Sequence, residues 1–163
     1  MITQDRLKEL VTYDPETGLF FRLSLIRGQG DLTKPIGSEV GNGYLDASID
    51  GKRYYLHRIA FIYMNGEIKE DFDVDHVNHI KSDNRFSNLR EVSHSVNLQN
   101  RVRSVSGGLS GYLGVTYSKR ANAFVAQITI NGVNRHIGCF QNPKEAHDAY
   151  VSAKRKFHQG CTL

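Results

Sequence analysis

The sequence predicts an α+β protein in which a mixed N-terminal region is followed by a small antiparallel sheet packed on one helix. Two dipeptides, Asp50-Gly51 and Asn131-Gly132, lie between strand-like runs and favour two-residue hairpin turns. A run of apolar residues at helical spacing follows each of these hairpins. The length of 163 residues allows one domain or two small ones, and 39% hydrophobic residues supply enough apolar material for packed cores.

The N-terminal part is predicted to contain two helices and three strands. Thr3 is a suitable N-cap for the first helix, and Asn65-Gly66 offers a left-handed stop after the second. Turn-forming residues separate the first helix from the first strand. The predicted helices cover residues 3–11 and 56–64, and the predicted strands cover residues 19–23, 44–49 and 52–56.

The segment from residue 73 to residue 100 is dense in Asp, Asn and His and predicts a β-β-α unit. Residues 73–76 end one strand, residues 77–88 form a long loop, and residues 89–92 return as a second strand. Ser93 is then a suitable cap for a short helix that carries Asn97. The unit therefore places polar side chains both at a strand end and on the following helix.

The C-terminal part is predicted to be a three-stranded antiparallel meander followed by one helix. Asn142 and Pro143 supply an N-cap and a first helical residue for that helix. Its apolar stripe is expected to lie across one face of the sheet. The predicted strands cover residues 112–117, 123–130 and 134–140, and the stripe consists of Ala146, Ala149, Tyr150, Ala153 and Phe157.

Charge and composition divide the chain into two domains. Residues 104–110 are small and polar and are predicted to be a linker between domains at 1–103 and 111–160. Residues 104–163 carry seven Lys and Arg against two Asp and Glu, whereas residues 1–72 carry nine against eleven. A basic C-terminal part is a mild indication of a polyanionic partner.

The β-β-α unit suggests chemistry on a phosphodiester. It can bring Asp75 and Asn97 to one point and so offer two hard oxygen ligands to a divalent cation. His76, the neighbour of one ligand, is placed to take a proton from water, and an unperturbed histidine pKa near 6.5 suits that role. With only Cys139 and Cys161 in the chain, neither a disulfide framework nor a cysteine-rich zinc site is expected.

The spacing of these residues resembles the His-Asn-His (HNH) motif of the ββα-metal nucleases. Asp75-His76 is followed by Asn88 twelve residues after the histidine and by Asn97 nine further on. The pattern is most similar to the branch found in intron-encoded and free-standing homing endonucleases of phages. The resemblance implies Asp75 and Asn97 as metal ligands, His76 as general base, and Asn88 as the residue that pins the loop so that the His76 ring points correctly.

Downstream, residues 110–160 resemble the AP2 DNA-binding domain, through Gly114-Val115, residues 124–128 and residues 137–140. In that domain the sheet face opposite the helix lies in the DNA major groove. Here the outward face lacks arginine, so base recognition is expected to use neutral polar groups and DNA shape, while basic side chains contact phosphates. The expected DNA-binding residues are Gln127, Thr129, Asn134 and His136 on the strands, and Lys119, Arg120 and Arg135 for phosphates.

Together these features predict a metal-dependent HNH endonuclease that cuts double-stranded DNA, implied by the resemblance to be a homing endonuclease. The expected cofactor is Mg²⁺, with Mn²⁺ or another divalent cation as alternatives, and the expected state is a monomer. No apolar run reaches the ~20 residues of a membrane span, so a cytoplasmic location is expected, in the host cell if a phage encodes the protein.

Two other functions are alternatives to cleavage of DNA. The first is a non-cleaving AP2-type DNA-binding regulator with a decayed nuclease motif, which the intact Asp75, His76 and Asn97 argue against. The second is an RNA-binding module, which is disfavoured because the sheet lacks a row of exposed aromatic residues to stack on single-stranded bases.

Overall fold

A computed structural model describes residues 2–25, 31–100, 110–158 and 161 of the chain. The chain divides into two compact units, Met1–His94 and Ser95–Leu163. Each unit contains helical residues, and the strands of each unit form small antiparallel sheets. These features confirm the predicted α+β class. No helix among the described residues is long and apolar enough to cross a membrane.

The chain begins with a helix and a short hairpin. Helix α1 spans Gln4–Leu10, and the Thr3 hydroxyl accepts a hydrogen bond from its first turn, as predicted. The sequence-based helix ran one residue too far, because Val11 instead begins a strand and its side chain is fully buried. Strand β1, Val11–Asp14, pairs antiparallel with β2, Leu19–Arg22. Strand β1 was not predicted.

The second hairpin forms at the predicted turn. Strand β3 is the short Ser38–Glu39, β4 spans Leu45–Ile49 and β5 spans Lys52–Tyr55, and the three make an antiparallel sheet in the order β3-β4-β5. Asp50 and Gly51 have φ angles of 49° and 74°. Positive φ at both central residues is what this tight hairpin turn requires.

Helix α2, Leu56–Asn65, supplies much of the apolar core of the first unit. It packs against α1 and against strands β4 and β5. The helix ends at Gly66, which has a φ of 92° and whose N–H donates to the Ile62 carbonyl at 2.8 Å. The core around it includes Leu7, Val11, Phe20, Ile49, Leu56, Ile59, Ala60, Ile62 and Val74.

The predicted β-β-α order follows α2. Strand β6, Phe72–His76, pairs antiparallel with β7, Leu89–Ser93, and helix α3, His94–Gln99, follows directly. The loop between the strands, residues 77–88, ends in a single 3₁₀ turn at Phe86–Asn88. Valine and leucine side chains on these strands bury one face of the pair in the core, which fixes where the strand ends lie.

The second unit contains the predicted meander and helix. Strands β8, Val115–Ser118, β9, Ala123–Ile130, and β10, Val133–Phe140, form an antiparallel sheet with β9 in the centre. Helix α4, Pro143–Phe157, packs against this sheet. The Asn142 side chain accepts a hydrogen bond from the backbone of the first turn of α4, as a helix cap does.

Two details of this unit differ from the sequence-based expectation. Strand β8 begins later than predicted because Gly114, at φ 75°, occupies a turn conformation rather than a strand conformation. In α4 the buried positions are Ala146, Tyr150 and Lys154, each four residues apart, while Phe157 is 48% exposed. Lys154, which the predicted stripe did not include, is therefore a buried residue at 1% exposure.

The predicted domain limits stay a prediction. Of the linker at 104–110, every residue except Ser110 lies outside the described part of the chain. The contact-based division falls earlier, between His94 and Ser95 and therefore within α3.

Candidate active site

Strand β6 contains the two central residues of the motif, Asp75 and His76. His76 is its last residue, 3% exposed, and Asp75 precedes it, so their side chains leave the strand on opposite sides. The register sets Asp75 directly opposite Arg90 on β7. Nη2 and Nε of Arg90 donate to Oδ2 of Asp75 at 2.8 and 3.1 Å, which keeps this carboxylate in a fixed, charge-compensated position at the strand end.

The His76 ring is oriented by Asn84 from the loop. Nε2 of His76 lies 3.4 Å from Oδ1 of Asn84, which is itself only 2% exposed. Because an amide oxygen only accepts hydrogen bonds, this contact favours the tautomer with the ring hydrogen on Nε2 and the lone pair on Nδ1. Asn84 is held in turn by the Tyr13 hydroxyl, which donates to the Asn84 carbonyl at 2.7 Å.

Asn88 joins the two ends of the loop. Its Oδ1 accepts a hydrogen bond from the N–H of Asn78 at 2.9 Å, and its Nδ2 donates to the Asp83 carbonyl at 2.8 Å. Asn88 is 7% exposed, and these bonds satisfy a buried amide with backbone groups of the loop. Its contacts are those of a loop brace, and its catalytic importance stays a prediction.

An ion pair stiffens the same loop. Nη2 of Arg85 donates to Oδ2 of Asp83 at 2.6 Å, and Nδ2 of Asn78 donates to the same oxygen at 2.7 Å. These bonds lower the pKa of Asp83 to about 2, with the bond from Arg85 as the largest cause. The carboxylate therefore stays ionised, and the loop beside His76 stays braced, at any pH above about 4.

The candidate base is one of four rings that pack together; we call Tyr44, Tyr55, His57 and His76 the ring cluster. The His57 and His76 centroids are 5.0 Å apart with an interplanar angle of 61°, and the Tyr44 and His76 centroids are 5.8 Å apart. Tyr55 stacks on His57 at 5.6 Å. The Lys81 ammonium lies 4.7 Å from the Tyr44 ring centroid, so positive charge is present at the edge of the cluster.

Burial controls the protonation of both histidines in the cluster. It lowers the pKa of His76, against the opposing effects of the Asn84 hydrogen bond and the Asp75 charge. It also lowers the pKa of His57 to about 3, and the neighbouring His76 and Arg58 act in the same direction. Both rings are therefore neutral at neutral pH, and His76 has a lone pair available to accept a proton.

We expect the buried His57 to make the fold sensitive to acid. Between its folded pKa of about 3 and the ordinary value of 6.5, the unfolded chain binds more protons than the folded chain. The free energy of unfolding should therefore fall as the pH decreases through this window, by up to about 1.4 kcal/mol per pH unit from this group. Urea unfolding of the wild type and the variant His57→Phe at pH 7 and pH 4.5 should show the smaller pH dependence in the variant. Equal pH dependence in both proteins would contradict this interpretation of His57.

The second predicted metal ligand, Asn97, lies on α3 within the second compact unit. Its meeting with Asp75 stays a prediction. No group of three or more His, Cys, Asp or Glu side chains within residues 2–25, 31–100, 110–158 and 161 is arranged to hold a metal ion. A site built from the Asp75 carboxylate and the Asn97 amide would instead use oxygen donors alone, a donor set that suits a hard cation such as Mg²⁺.

Four of the predicted DNA-binding residues share one face of the second sheet. In the register of β9 and β10, His136 lies opposite Gln127 and Asn134 lies opposite Thr129. Residues directly opposite each other in an antiparallel pair project to the same side, and alternate residues along one strand do so too. Nδ2 of Asn134 donates to Oε1 of Gln127 at 3.1 Å, which links the two neutral polar side chains most suited to base edges.

The three predicted phosphate-binding residues lie elsewhere in this unit. Arg135 is opposite the buried Ile128, so it projects from the other side of the sheet and not from the polar face. Lys119 and Arg120 lie in the exposed turn between β8 and β9. The structure thus places four of the predicted residues on one sheet face and the three basic residues outside that face, and the DNA-binding role of all seven stays a prediction.

Several contributors to the site were not predictable from the sequence. Asn84 contacts the base directly, and Tyr13 holds Asn84 from 71 positions earlier in the chain. Tyr44 and His57 pack against the base from other elements. Only the position of Asn84 inside the motif loop gave a signal, because nothing in the local sequence indicates which distant ring packs on His76.

Comparison with known proteins bears on the same residues. Residues 54–99 match the family model described as "HNH endonuclease", and the matched segment contains Asp75, His76, Asn88 and Asn97. The match confirms the predicted HNH endonuclease motif in this segment and supports a nuclease as the class of enzyme. The resemblance of residues 110–160 to AP2 domains lies outside the matched segment and stays a prediction.

One solved structure is also similar to this chain. It is titled "DNA binding and cleavage by the HNH homing endonuclease I-HmuI", with 20% identity, a TM-score of 0.45, and coverage of 93% of this chain and 88% of that chain. The search of curated proteins found no match.

Proposed function

We propose that this protein is a metal-dependent endonuclease that hydrolyses phosphodiester bonds in double-stranded DNA, with a homing endonuclease as its biological class. The observation that carries the proposal is the buried His76 ring, which lies 3.4 Å from Asn84 and is adjacent in the chain to the Asp75 carboxylate. These residues lie within the segment that matches the HNH endonuclease family.

His76 acts as the general base in this proposal. Its Nδ1 accepts a proton from water as the water oxygen bonds to phosphorus, and the bond from phosphorus to the 3′ oxygen breaks. The 3′ oxygen leaves with the electron pair of that bond and takes a proton from solvent water, so the products are a 5′-phosphate and a 3′-hydroxyl. Asn84 keeps the ring in the required tautomer by accepting from Nε2, while Asn88 and the ion pair of Asp83 with Arg85 keep the loop in place.

Asp75 is one of the two candidate ligands for the divalent cation. Asp75 and Asn97 would hold one divalent ion, with Mg²⁺ as the expected metal, through oxygen atoms. When bound, such an ion acts as a Lewis acid on the phosphodiester and stabilises the leaving oxygen. Arg90 holds the Asp75 carboxylate at the strand end and so fixes the position of this candidate ligand.

The C-terminal unit docks the protein on duplex DNA in this proposal. Residues 1–103 form the nuclease domain and residues 111–160 the DNA-binding domain, with the monomer as the working unit. Gln127 and Asn134 are the residues that meet base edges, because they are linked neutral amides on one sheet face. Lys119, Arg120 and Arg135 contact phosphates and set the affinity without specifying sequence.

The test of the proposed function uses supercoiled plasmid and the full-length wild type. With Mg²⁺ we expect nicked or linear DNA that carries 5′-phosphates, and with excess chelator we expect no cleavage. Binding of DNA without cleavage at any concentration of Mg²⁺ or Mn²⁺ would favour the non-cleaving regulator. Absence of both binding and cleavage would reject both functions.

The docking role predicts a change in salt dependence. In the triple variant Lys119→Ala, Arg120→Ala, Arg135→Ala, the slope of log K against log salt should become shallower by about 0.9 for each phosphate that the protein no longer neutralises. Lys144→Ala is a suitable control, because this exposed lysine lies 3.7 Å from Asp148 and has no proposed role with DNA. Fluorescence anisotropy across a salt series gives both slopes, and an unchanged slope in the triple variant would remove these residues from the interface.

A further inference from the structure

His57 is buried in the core although one of its ring nitrogens is unpaired in the described part of the chain. It lies in the first turn of α2, is 6% exposed, and its Nδ1 has no hydrogen-bond partner in the described part of the chain. A buried polar atom without a partner costs free energy, and a phenylalanine ring would fill similar space without that cost. Packing alone therefore does not explain why the residue at this position is a histidine.

The position of the His57 ring beside His76 suggests an explanation. His57 meets His76 with their planes at 61°, an edge-on arrangement at a centroid distance of 5.0 Å. Tyr44 lies against both rings, at 4.9 Å from His57 and 5.8 Å from His76, and so closes the group on another side. The ring nearest to the candidate base is therefore a second imidazole with an unpaired nitrogen.

An imidazole and a phenyl ring act differently on a neighbouring imidazole. A neutral imidazole has a permanent in-plane dipole, so its interaction energy with His76 changes when the His76 ring flips by 180° about its bond to Cβ. A phenyl ring has no such dipole, and its quadrupole distinguishes the two flipped states only weakly. The long 3.4 Å contact with Asn84 is a weak constraint by itself, which leaves room for a second one.

We propose that His57 is a positioning residue that holds the His76 ring in the single orientation in which Nε2 meets Asn84 and Nδ1 keeps the lone pair. This inference rests on the proposed function, in which His76 is the general base. In this role, His57 makes no contact with DNA and exchanges no proton during the reaction. Burial supports the role, because it keeps the His57 ring neutral and so avoids a positive charge beside the base.

The decisive variant is His57→Phe, studied in the full chain. A flipped His76 ring no longer points Nε2 at Asn84, so nothing favours the hydrogen on Nε2 in that orientation. Nitrogen NMR of the histidine rings at neutral pH should therefore show one His76 tautomer in the wild type and a mixture of both in the variant. Plasmid cleavage should show a kcat that is about 10- to 100-fold lower with a KM within about twofold of wild type, since misorientation of the base affects chemistry and not binding. The thermal midpoint should stay equal or rise, because an unpaired buried nitrogen has been removed.

His94→Gln is the matched control. This histidine is exposed and lies 2.8 Å from Asp73 in the same unit, so its loss should leave the His76 tautomer, kcat and KM unchanged. A single His76 tautomer and wild-type kcat in His57→Phe would overturn the inference. A His57→Phe protein that fails to fold, or that loses stability and activity in parallel, would show a structural role and would overturn it as well.

The NMR measurement separates this inference from the proposed function. A wild type that cleaves no DNA under any condition would reject the nuclease activity. The comparison of tautomers would still decide whether His57 orients His76. A wild type that cleaves DNA, with identical tautomers in both proteins, would keep the nuclease and reject the positioning role alone.

Discussion

Replacing His76 by alanine should lower the rate of DNA cleavage by about 10²- to 10⁴-fold, which is the usual contribution of a positioned acid or base. The loss follows because Nδ1 of His76 is the proton acceptor in the proposed reaction, with its tautomer set by Asn84. Single-turnover cleavage of plasmid at saturating protein measures this rate without interference from product release. DNA affinity, measured by anisotropy, should stay near the wild-type value.

His94→Ala is the control for this variant. It removes a histidine that is exposed, paired at the surface with Asp73, and located after the strand pair rather than within it. Exposed ion pairs contribute little to stability, so this variant should cut DNA like the wild type. Circular dichroism establishes whether His76→Ala stays folded. A folded His76→Ala protein that cuts DNA at the wild-type rate would remove His76 from the role of base.

Replacing Gly18 by alanine should destabilise the fold strongly and should also disturb the active-site loop. Gly18 has a φ of 76°, and a Cβ added there would lie 2.6 Å from the backbone N of Arg85 and 2.6 Å from the carbonyl carbon of Asn84. Because backbone atoms cannot yield as a flexible side chain can, the turn or the loop must move. We expect a loss on the order of 3 kcal/mol, made up of conformational strain and steric overlap.

Gly51→Ala separates the two causes of that loss. Gly51 has a φ of 74°, almost the same as Gly18, but no heavy atom lies within 4 Å of the added Cβ. Its cost should therefore be the strain alone, about 1 kcal/mol. Urea unfolding of the two variants gives the difference, and cleavage assays should show lower activity only in Gly18→Ala. Equal losses of stability would show that the contact of turn and loop is unimportant.

The effect expected at Gly18 reflects how the N-terminal hairpin supports the site. The hairpin of β1 and β2 touches the motif loop at three positions. Phe86 donates its N–H to the Pro15 carbonyl at 2.9 Å, Tyr13 donates to the Asn84 carbonyl at 2.7 Å, and Gly18 allows the close approach between them. The residue that orients the candidate base is thus positioned by a hairpin more than sixty residues earlier in the chain.

Local patterns were sufficient to predict most elements. Asp-Gly and Asn-Gly turns fix hairpins because few other residues adopt two consecutive positive φ angles, and both turns occur as predicted at Asp50-Gly51 and Asn131-Gly132. The β-β-α order around residues 72–99 followed from the strand and cap signals. The motif residues themselves were identifiable because their types and spacing resembled a known family.

Contacts between distant parts of the chain were not predictable in the same way. Strand β1 was missed because Val11 continues the apolar spacing of α1, and only its pairing with Arg22 across the hairpin reveals a strand. The ring cluster depends on packing of the residue just before β4 with residues of β5, α2 and β6, which no local pattern encodes. Lys154 was not part of the predicted apolar stripe because a lysine usually keeps its charged end in solvent, yet the residue is 1% exposed.

The different contacts of Asn84 and Asn88 were also not predictable from local sequence. Both asparagines lie in the motif loop, and family spacing drew attention to Asn88. The structure places Asn88 on backbone groups of the loop and Asn84 on the ring of His76. Sequence spacing gives the residue types that a site needs, but the path of a twelve-residue loop decides which of two similar amides reaches the ring.

The central claim is that Asp75 and His76 belong to one cation-dependent cleavage site. Single-turnover cleavage of plasmid by wild type and by Asp75→Ala, across a titration of Mg²⁺ and with chelator, tests it most directly. We predict that the wild type cuts DNA only when Mg²⁺ is present, and that a folded Asp75→Ala protein cuts at least about 100-fold more slowly at every Mg²⁺ concentration. Cleavage by the wild type in excess chelator, or equal rates for the two proteins, would contradict the claim.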